Sequence, residues 1–277
     1  MSQASSDLAN RRAEIDRIDR EMQQLLQNRA KVVQGVVRAK KAATAAGEIT
    51  PPFRPGREAE VLRTLVAHHR GDFPAASLLR IWREIISGAT RIQAEQRILV
   101  VGGAGDSWDL ARDHFGLGAV YEAVHSLSLV FDMLRQNAAA AAVLPMQAKS
   151  GAGVWWRELM QTEPPEGAPQ VVARLPFFKA GTNGDAVVLS PFPPDASSQD
   201  RGVLGLTLQG SASPHELAGI AETAGLKPTS PALVDDSYAW LEVDGLVSPD
   251  AAAITAIANA TGIADIRVLG GYAVPLA

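Results

Sequence analysis

The chain of 277 residues contains no cysteine. Disulfides and thiolate zinc sites are therefore excluded, which suits a reducing compartment such as the cytoplasm. No apolar run approaches the roughly 18 residues of a membrane-spanning helix. The first stretch, MSQASSDLANRRAEIDRIDR, is rich in charge and lacks the apolar segment of a signal peptide. A cytoplasmic protein with no membrane partner is the expectation. The five histidines, His68, His69, His114, His125 and His215, show no metal-ligand grouping, so no metal site is expected. What is present describes an ordinary globular chain: 47% hydrophobic, 20% charged, and long enough for more than one domain.

Charge is unevenly spread. Residues 1–93 hold 16 Lys and Arg against 10 Asp and Glu, whereas the remainder holds 10 against 20. A basic first third on an acidic remainder suggests that the first third meets an anion; arginine-rich helices are the plainer alternative.

From Leu8 to about Ala46 there is no proline and no turn cluster, and Ile15, Ile18, Met22, Leu25, Val32 and Val36 step by three and four. That is one face of a helix. A helix of this length cannot bury its stripe within one small domain, so a second copy of the chain is the simplest partner. Prolines 51, 52 and 55 end the pattern. A second helix then carries Val61, Leu62, Leu65 and Val66, and a third carries Leu78, Leu79, Trp82, Ile85, Ile86, Ala89 and Ile92. Beyond Arg97 the grammar becomes α/β: RILVVGG, AAAAAVLPM and GDAVVLSP read as strands and DSWDLARDHF as a helix. The stretch VVGGAGDSWDL lacks the spacing of a dinucleotide-binding loop, so no cofactor is expected there. Residues 191–202, PFPPDASSQDRG, read as a linker. After it come a strand (203–208), a helix (214–224), a strand (238–243), a helix (249–261) and a strand (266–269). A βαββαβ unit with one short strand unseen would fit that order. Trp155 and Trp156 read as core or interface residues.

Two cations fall on the stripe of the first helix. Arg29 and Lys40 lie 11 residues apart, roughly three full turns, with Val33 and Val36 between them on the same face. A cation in an interhelical seam requires compensation. An internal carboxylate such as Asp19 or Glu58 would make a structural ion pair; a bound anion would make a site. Other polar residues favour the site. Arg57 and Glu58 open the second helix, and Gln93 lies three turns beyond Trp82 on the stripe of the third. Arg12 points about 100° away from Arg29 on the first helix, so an antiparallel partner would have to bring its own copy. The set suits a small, multiply acidic ligand and contains neither a nucleophile–base pair nor a metal cluster.

The segments RRAEIDRIDREMQQLLQNRAKVVQGVVRAKK, FRPGREAEVLR and IWREIISGATRIQ resemble the all-helical chorismate mutases that are fused to prephenate dehydratase in bacterial phenylalanine synthesis. The resemblance covers about residues 8–95. It implies an intertwined homodimer in which Arg12 of one protomer completes the other's site, with Arg12 and Arg29 on the carboxylates of chorismate and Arg57 assisting. It further implies that Lys40 and Gln93 donate to the ether oxygen and that Glu58 accepts from the ring hydroxyl. Two positions depart from the family: Ala89 stands where a serine is frequent, and Arg54 where some members have aspartate. Farther on, parts of residues 97–159 resemble prephenate dehydratase, and the end of the chain resembles a phenylalanine-sensing ACT domain. The dehydratase motifs are replaced by Met146-Gln147-Ala148 and Asn183-Gly184-Asp185, and one lobe is missing.

The fold expected is therefore multidomain α and α/β. It divides into a three-helix mutase domain (1–95), a reduced dehydratase-like α/β lobe without dehydratase activity (96–192), and an ACT-like unit (193–277). The function expected is chorismate mutase, with a bifunctional mutase–dehydratase or a non-catalytic binding protein as alternatives and no nucleic-acid partner.

Overall fold

The computed structural model describes residues 3–45, 51–102, 106–146, 155–161, 168–178 and 184–276. Helix α1, Gln3–Ala45, runs for 43 residues because nothing in it breaks a helix: it holds no proline and a single glycine. Exposed pairs such as Arg17–Glu21 at 2.5 Å line its surface. Such pairs contribute only a few tenths of a kcal/mol each, so tertiary packing must hold the helix. That packing starts at Ala30. Ala30, Val33, Val37 and Lys40 are half-buried, where α1 runs against α3. The neighbouring stripe read from the sequence is still open: Ile15, Ile18, Met22 and Leu25 are 43–67% exposed, and Val32 and Val36 are exposed with them.

Helix α2 (Pro55–His68) starts on a proline, whose missing N–H costs nothing at that position. Helix α3 (Ala75–Gln93) buries Leu79, Arg83, Ile86, Ser87 and Thr90, a three-four series facing inward. Ala59, Leu62, Leu79 and Ile86 form one core with Phe177 and Ala273, which docks the helices on the sheet. Phe53 anchors the proline-rich loop by packing on Phe115, ring centres 5.0 Å apart.

Among the described residues the rest holds one nine-stranded sheet whose strands lie side by side in the order 120–124, 97–101, 141–145, 186–190, 170–175, 263–273, 200–208, 238–244 and 233–235. Strands β1 (Arg97–Val101), β2 (Val120–Val124) and β3 (Ala141–Pro145) are parallel, with α4 (Asp106–Phe115) and α5 (Leu127–Arg135) crossing between them. Strand β5 (Ala186–Ser190) runs antiparallel to β3 and to β4 (Gln170–Leu175) and is buried at every position. A short helix, α6 (Trp156–Gln161), packs its tryptophan against the sheet. The last part is β6 (Asp200–Leu208), α7 (Pro214–Thr223), β7 (Leu233–Asp235), β8 (Tyr238–Asp244), α8 (Ala252–Ala258) and β9 (Ile263–Ala273). This is the βαββαβ order, with β7 the short strand that the sequence hides. Strand β4 joins β9 through the single pair Val171–Gly270. Gly270 sits at φ +120°, and a Cβ there would lie 2.3 Å from the Val171 carbonyl oxygen, so only glycine lets the two halves of the sheet meet. Trp155, Trp156 and Trp240 fill the core on one face across that junction, as expected of buried tryptophans.

Several boundaries differ from the sequence reading. Helix α8 is shorter than 249–261, and β9 extends well beyond 266–269. Strands β2 and β4 and helices α5 and α6 went unseen. β2 is a partly exposed edge strand with no alternating pattern, and α6 has only 6 residues. Residues 191–199 are not a free linker: Asp195, Ser198 and Gln199 are hydrogen-bonded to α2. The Gln147-Ala148 and Asn183 positions of the departed dehydratase motifs lie outside the described residues. So do residues 103–105, which follow β1.

Candidate functional site

Four of the expected residues lie along the α1–α3 seam or reach the loop at 51–54. Arg29 Nη1 donates to the Ile85 carbonyl on α3 at 3.3 Å. Three turns on, Lys40 Nζ donates to the Pro51 carbonyl at 3.0 Å. Desolvation, helped by the Arg54 charge, pulls the Lys40 ammonium below the usual lysine range. On α3, Ala89 is buried, and Gln93 Nε2 donates to its carbonyl at 3.3 Å. Gln93 Oε1 is buried with no hydrogen-bond partner among the described residues. An amide held in this way presents an unused acceptor, and a modest rotation would offer its NH2 instead.

The remaining residues are placed differently. Arg57 is exposed, and its backbone N–H donates to Asp195 Oδ2 at 3.0 Å. Arg12 is exposed on α1, roughly 25 Å along the helix from Arg29. Glu58 is buried, but it faces Arg83 at 2.9 Å rather than Arg29, Lys40 or Gln93. Arg83 in turn stacks on Phe177, its guanidinium 5.2 Å from the ring centre. Burial raises the Glu58 carboxyl to about 7; the Arg83 charge opposes that rise and the Asp195 charge adds to it. The structural ion pair considered for Arg29 and Lys40 is not formed by Asp19 or Glu58. Asp19 is exposed, and Glu58 belongs to Arg83. Arg29 itself is exposed in the single chain, so the inward stripe is covered on the α3 side alone.

This seam presents an ammonium, a guanidinium and an amide, with no nucleophile beside a base among the described residues. Such an arrangement can bind a small anion and stabilise charge on an oxygen. Residues 11–94 match the family model Chorismate mutase type II. The mutase-like segment is thus the three helices just described. A bifunctional chorismate mutase/prephenate dehydratase from Stutzerimonas stutzeri is 28% identical over 144 residues, 52% of this chain and 40% of that protein. Its namesake from Aquifex aeolicus is 30% identical over 146 residues, 51% of this chain and 39% of that one. The chain thus matches less than half the length of these curated relatives. Among solved structures, prephenate dehydratase from Streptococcus mutans aligns at 16% identity over 65% of this chain and 98% of its own, with a TM-score of 0.42.

Two residues of this neighbourhood escaped the sequence reading. Arg83 had a signal, since it falls four residues after Leu79 and three before Ile86 on a buried stripe. Asp195 had none of its own. Its trace was negative: α2 begins at Arg54-Pro55 with no residue able to cap it.

Proposed function

We propose that the mutase-like segment converts chorismate to prephenate. The observation that carries this reading is the match of residues 11–94 to the chorismate mutase model, over the helices that carry Arg29, Lys40 and Gln93. The reaction is a pericyclic rearrangement. No side chain has to attack or transfer a proton; the site must hold the folded conformer and stabilise charge on the breaking ether. In this reading Lys40 and Gln93 face the ether oxygen, Arg29 and the partner's Arg12 hold the carboxylates with Arg57 assisting, and Ala89 forms part of the wall. Glu58 accepts from the ring hydroxyl. That role requires its carboxylate to exchange some of its hold on Arg83 for substrate.

The open stripe of α1 supports an intertwined homodimer. Seven large apolar residues from Ile15 to Val36 are exposed, on a helix far longer than the chain's own core can cover. A second copy lying antiparallel would bury them and bring Arg12 to the other site. Residues 96–192 and 193–277 would then be a reduced scaffold lobe and an ACT-like unit. A bifunctional mutase–dehydratase is the second reading, because the 144-residue alignment is longer than the whole of 1–94 and so reaches into the sheet. The deciding assay follows chorismate absorbance with the purified chain, with and without aromatic amino acids. Consumption of chorismate supports the mutase, and none at micromolar enzyme rejects it. Phenylpyruvate from added prephenate would establish the second activity.

A further inference from the structure

Helix α2 starts without a local cap. Arg54 makes no capping bond, and Pro55 has no N–H to satisfy. The next two N–H groups are taken by one carboxylate from the far side of the chain. Gly56 N–H donates to Asp195 Oδ1 at 2.8 Å and Arg57 N–H to Asp195 Oδ2 at 3.0 Å. Arg54 Nε approaches the same oxygen at 3.4 Å. The strap that carries Asp195 is itself fastened to α2. Ser198 donates to Glu60 through its N–H and its hydroxyl, and Arg63 donates to the Gln199 and Val274 carbonyls. Gly56 permits the crossing, because a Cβ there would lie 2.1 Å from the Asp195 carbonyl oxygen.

We propose that Asp195 is a positioning residue for the Arg57–Glu58 pair, fixing the first turn of α2 from the strap that leads into β6. What the pair does rests on the mutase reading; how it is held rests on these hydrogen bonds. Arg57 receives one of the two bonds directly, and Glu58 follows it, so a shift of this turn moves both side chains together. The Asp195 charge also contributes to the raised Glu58 carboxyl, which faces Arg83, itself beside His114.

The test uses the full chain carrying Asp195→Ala or Asp195→Asn. In the alanine variant kcat for chorismate is expected to fall by about 10- to 100-fold, the loss that a displaced site group typically produces. Amide exchange should quicken at Gly56 and Arg57 while Ile86 on α3 keeps its protection. Asparagine retains one acceptor oxygen and should recover part of the rate. In the mutase reading Glu58 accepts from the ring hydroxyl as a carboxylate. Loss of the Asp195 charge, which adds to the rise of the Glu58 carboxyl, should therefore also move the acid limb of the rate to lower pH. Unchanged kinetics with unchanged exchange at Gly56 and Arg57 overturns the proposal. Exchange quickened equally throughout α3 marks general loosening and overturns it too. If the unaltered chain does not consume chorismate, the mutase reading fails by itself, and exchange at Gly56 and Arg57 alone decides whether Asp195 positions the turn.

Discussion

Glu58 and Arg83 meet at 2.9 Å between α2 and α3, both buried, with Phe177, two residues beyond the end of β4, layered on the guanidinium. The carboxylate that the mutase resemblance assigns to substrate is therefore also a fastening between the helices and the sheet. Removing one member of such a pair typically costs about 3–5 kcal/mol, because the other remains buried and uncompensated. Arg83→Ala is expected to lose stability on that scale, measured by urea unfolding.

The same pair gives a pH dependence of definite sign. The Glu58 carboxyl is raised from 4.5 to about 7, so between those values the folded chain holds a proton that the unfolded chain has lost. Its contribution to stability is full below about pH 4.5 and fades as pH rises through 7, by an amount on the order of 3 kcal/mol at most. His114 acts oppositely. Burial holds its imidazole neutral, well below the ordinary value, and favours the folded state less as pH falls below about 6.5. Subtracting the unfolding curves of Glu58→Gln from those of the unaltered chain isolates the first effect. A difference that stays flat between pH 4.5 and 7.5 refutes it.

Lys40 should set the alkaline side of activity. In the mutase reading it donates to the ether oxygen only when protonated, and burial brings its deprotonation below the usual lysine range. The rate is expected to fall on that limb earlier than an exposed lysine would allow. Lys40→Ala should lose about 100- to 1000-fold, the usual consequence of deleting one preorganised donor. Its circular dichroism should be unchanged. Near-normal turnover in this variant would remove Lys40 from the site.

Gly270 separates a structural requirement from a general preference for glycine. Gly270→Ala must force a side chain into the Val171 backbone at a positive φ, and is expected to cost more than about 2 kcal/mol. Gly219 lies inside α7 with open space around it, so Gly219→Ala should instead add about 0.5–1 kcal/mol. Thermal melts of the two variants should therefore move in opposite directions.

Periodicity revealed what repeats, and little of what crosses the chain. The three helices, the βαββαβ order and the buried tryptophans were legible because each leaves a local pattern. The stripe Val32–Val36 was legible too, but which flank of α1 is covered by α3 was not. Ala30, Val33, Val37 and Lys40 differ from it by less than one turn of the helix, and only packing distinguishes them. The strap 191–199 was misread because proline, serine and aspartate look alike in a linker and in a docked loop. Its bonds reach residues some 138 positions away. Glu58 stands out in the sequence by its place beside Arg57, but its partner Arg83 does not, because an arginine on an apolar stripe leaves no sign of whether it is buried.

The crossing of Arg12 can be tested without a structure of the assembled pair. In an antiparallel homodimer each site would take Lys40 from one protomer and Arg12 from the other. Arg12→Ala and Lys40→Ala homodimers should each be nearly inactive. In a mixed dimer one site would combine the intact Lys40 with the intact Arg12, while the other would lack both. Random assortment makes half of all dimers mixed, so co-expression in equal amounts should restore about a quarter of the unaltered activity. In the proposed homodimer the open stripe of α1 mediates this pairing. Leu25→Lys, at 67% exposure, should therefore yield monomers by light scattering and abolish the rescue. Rescue that persists in monomers, or no rescue in stable mixed dimers, would place Arg12 outside its partner's site.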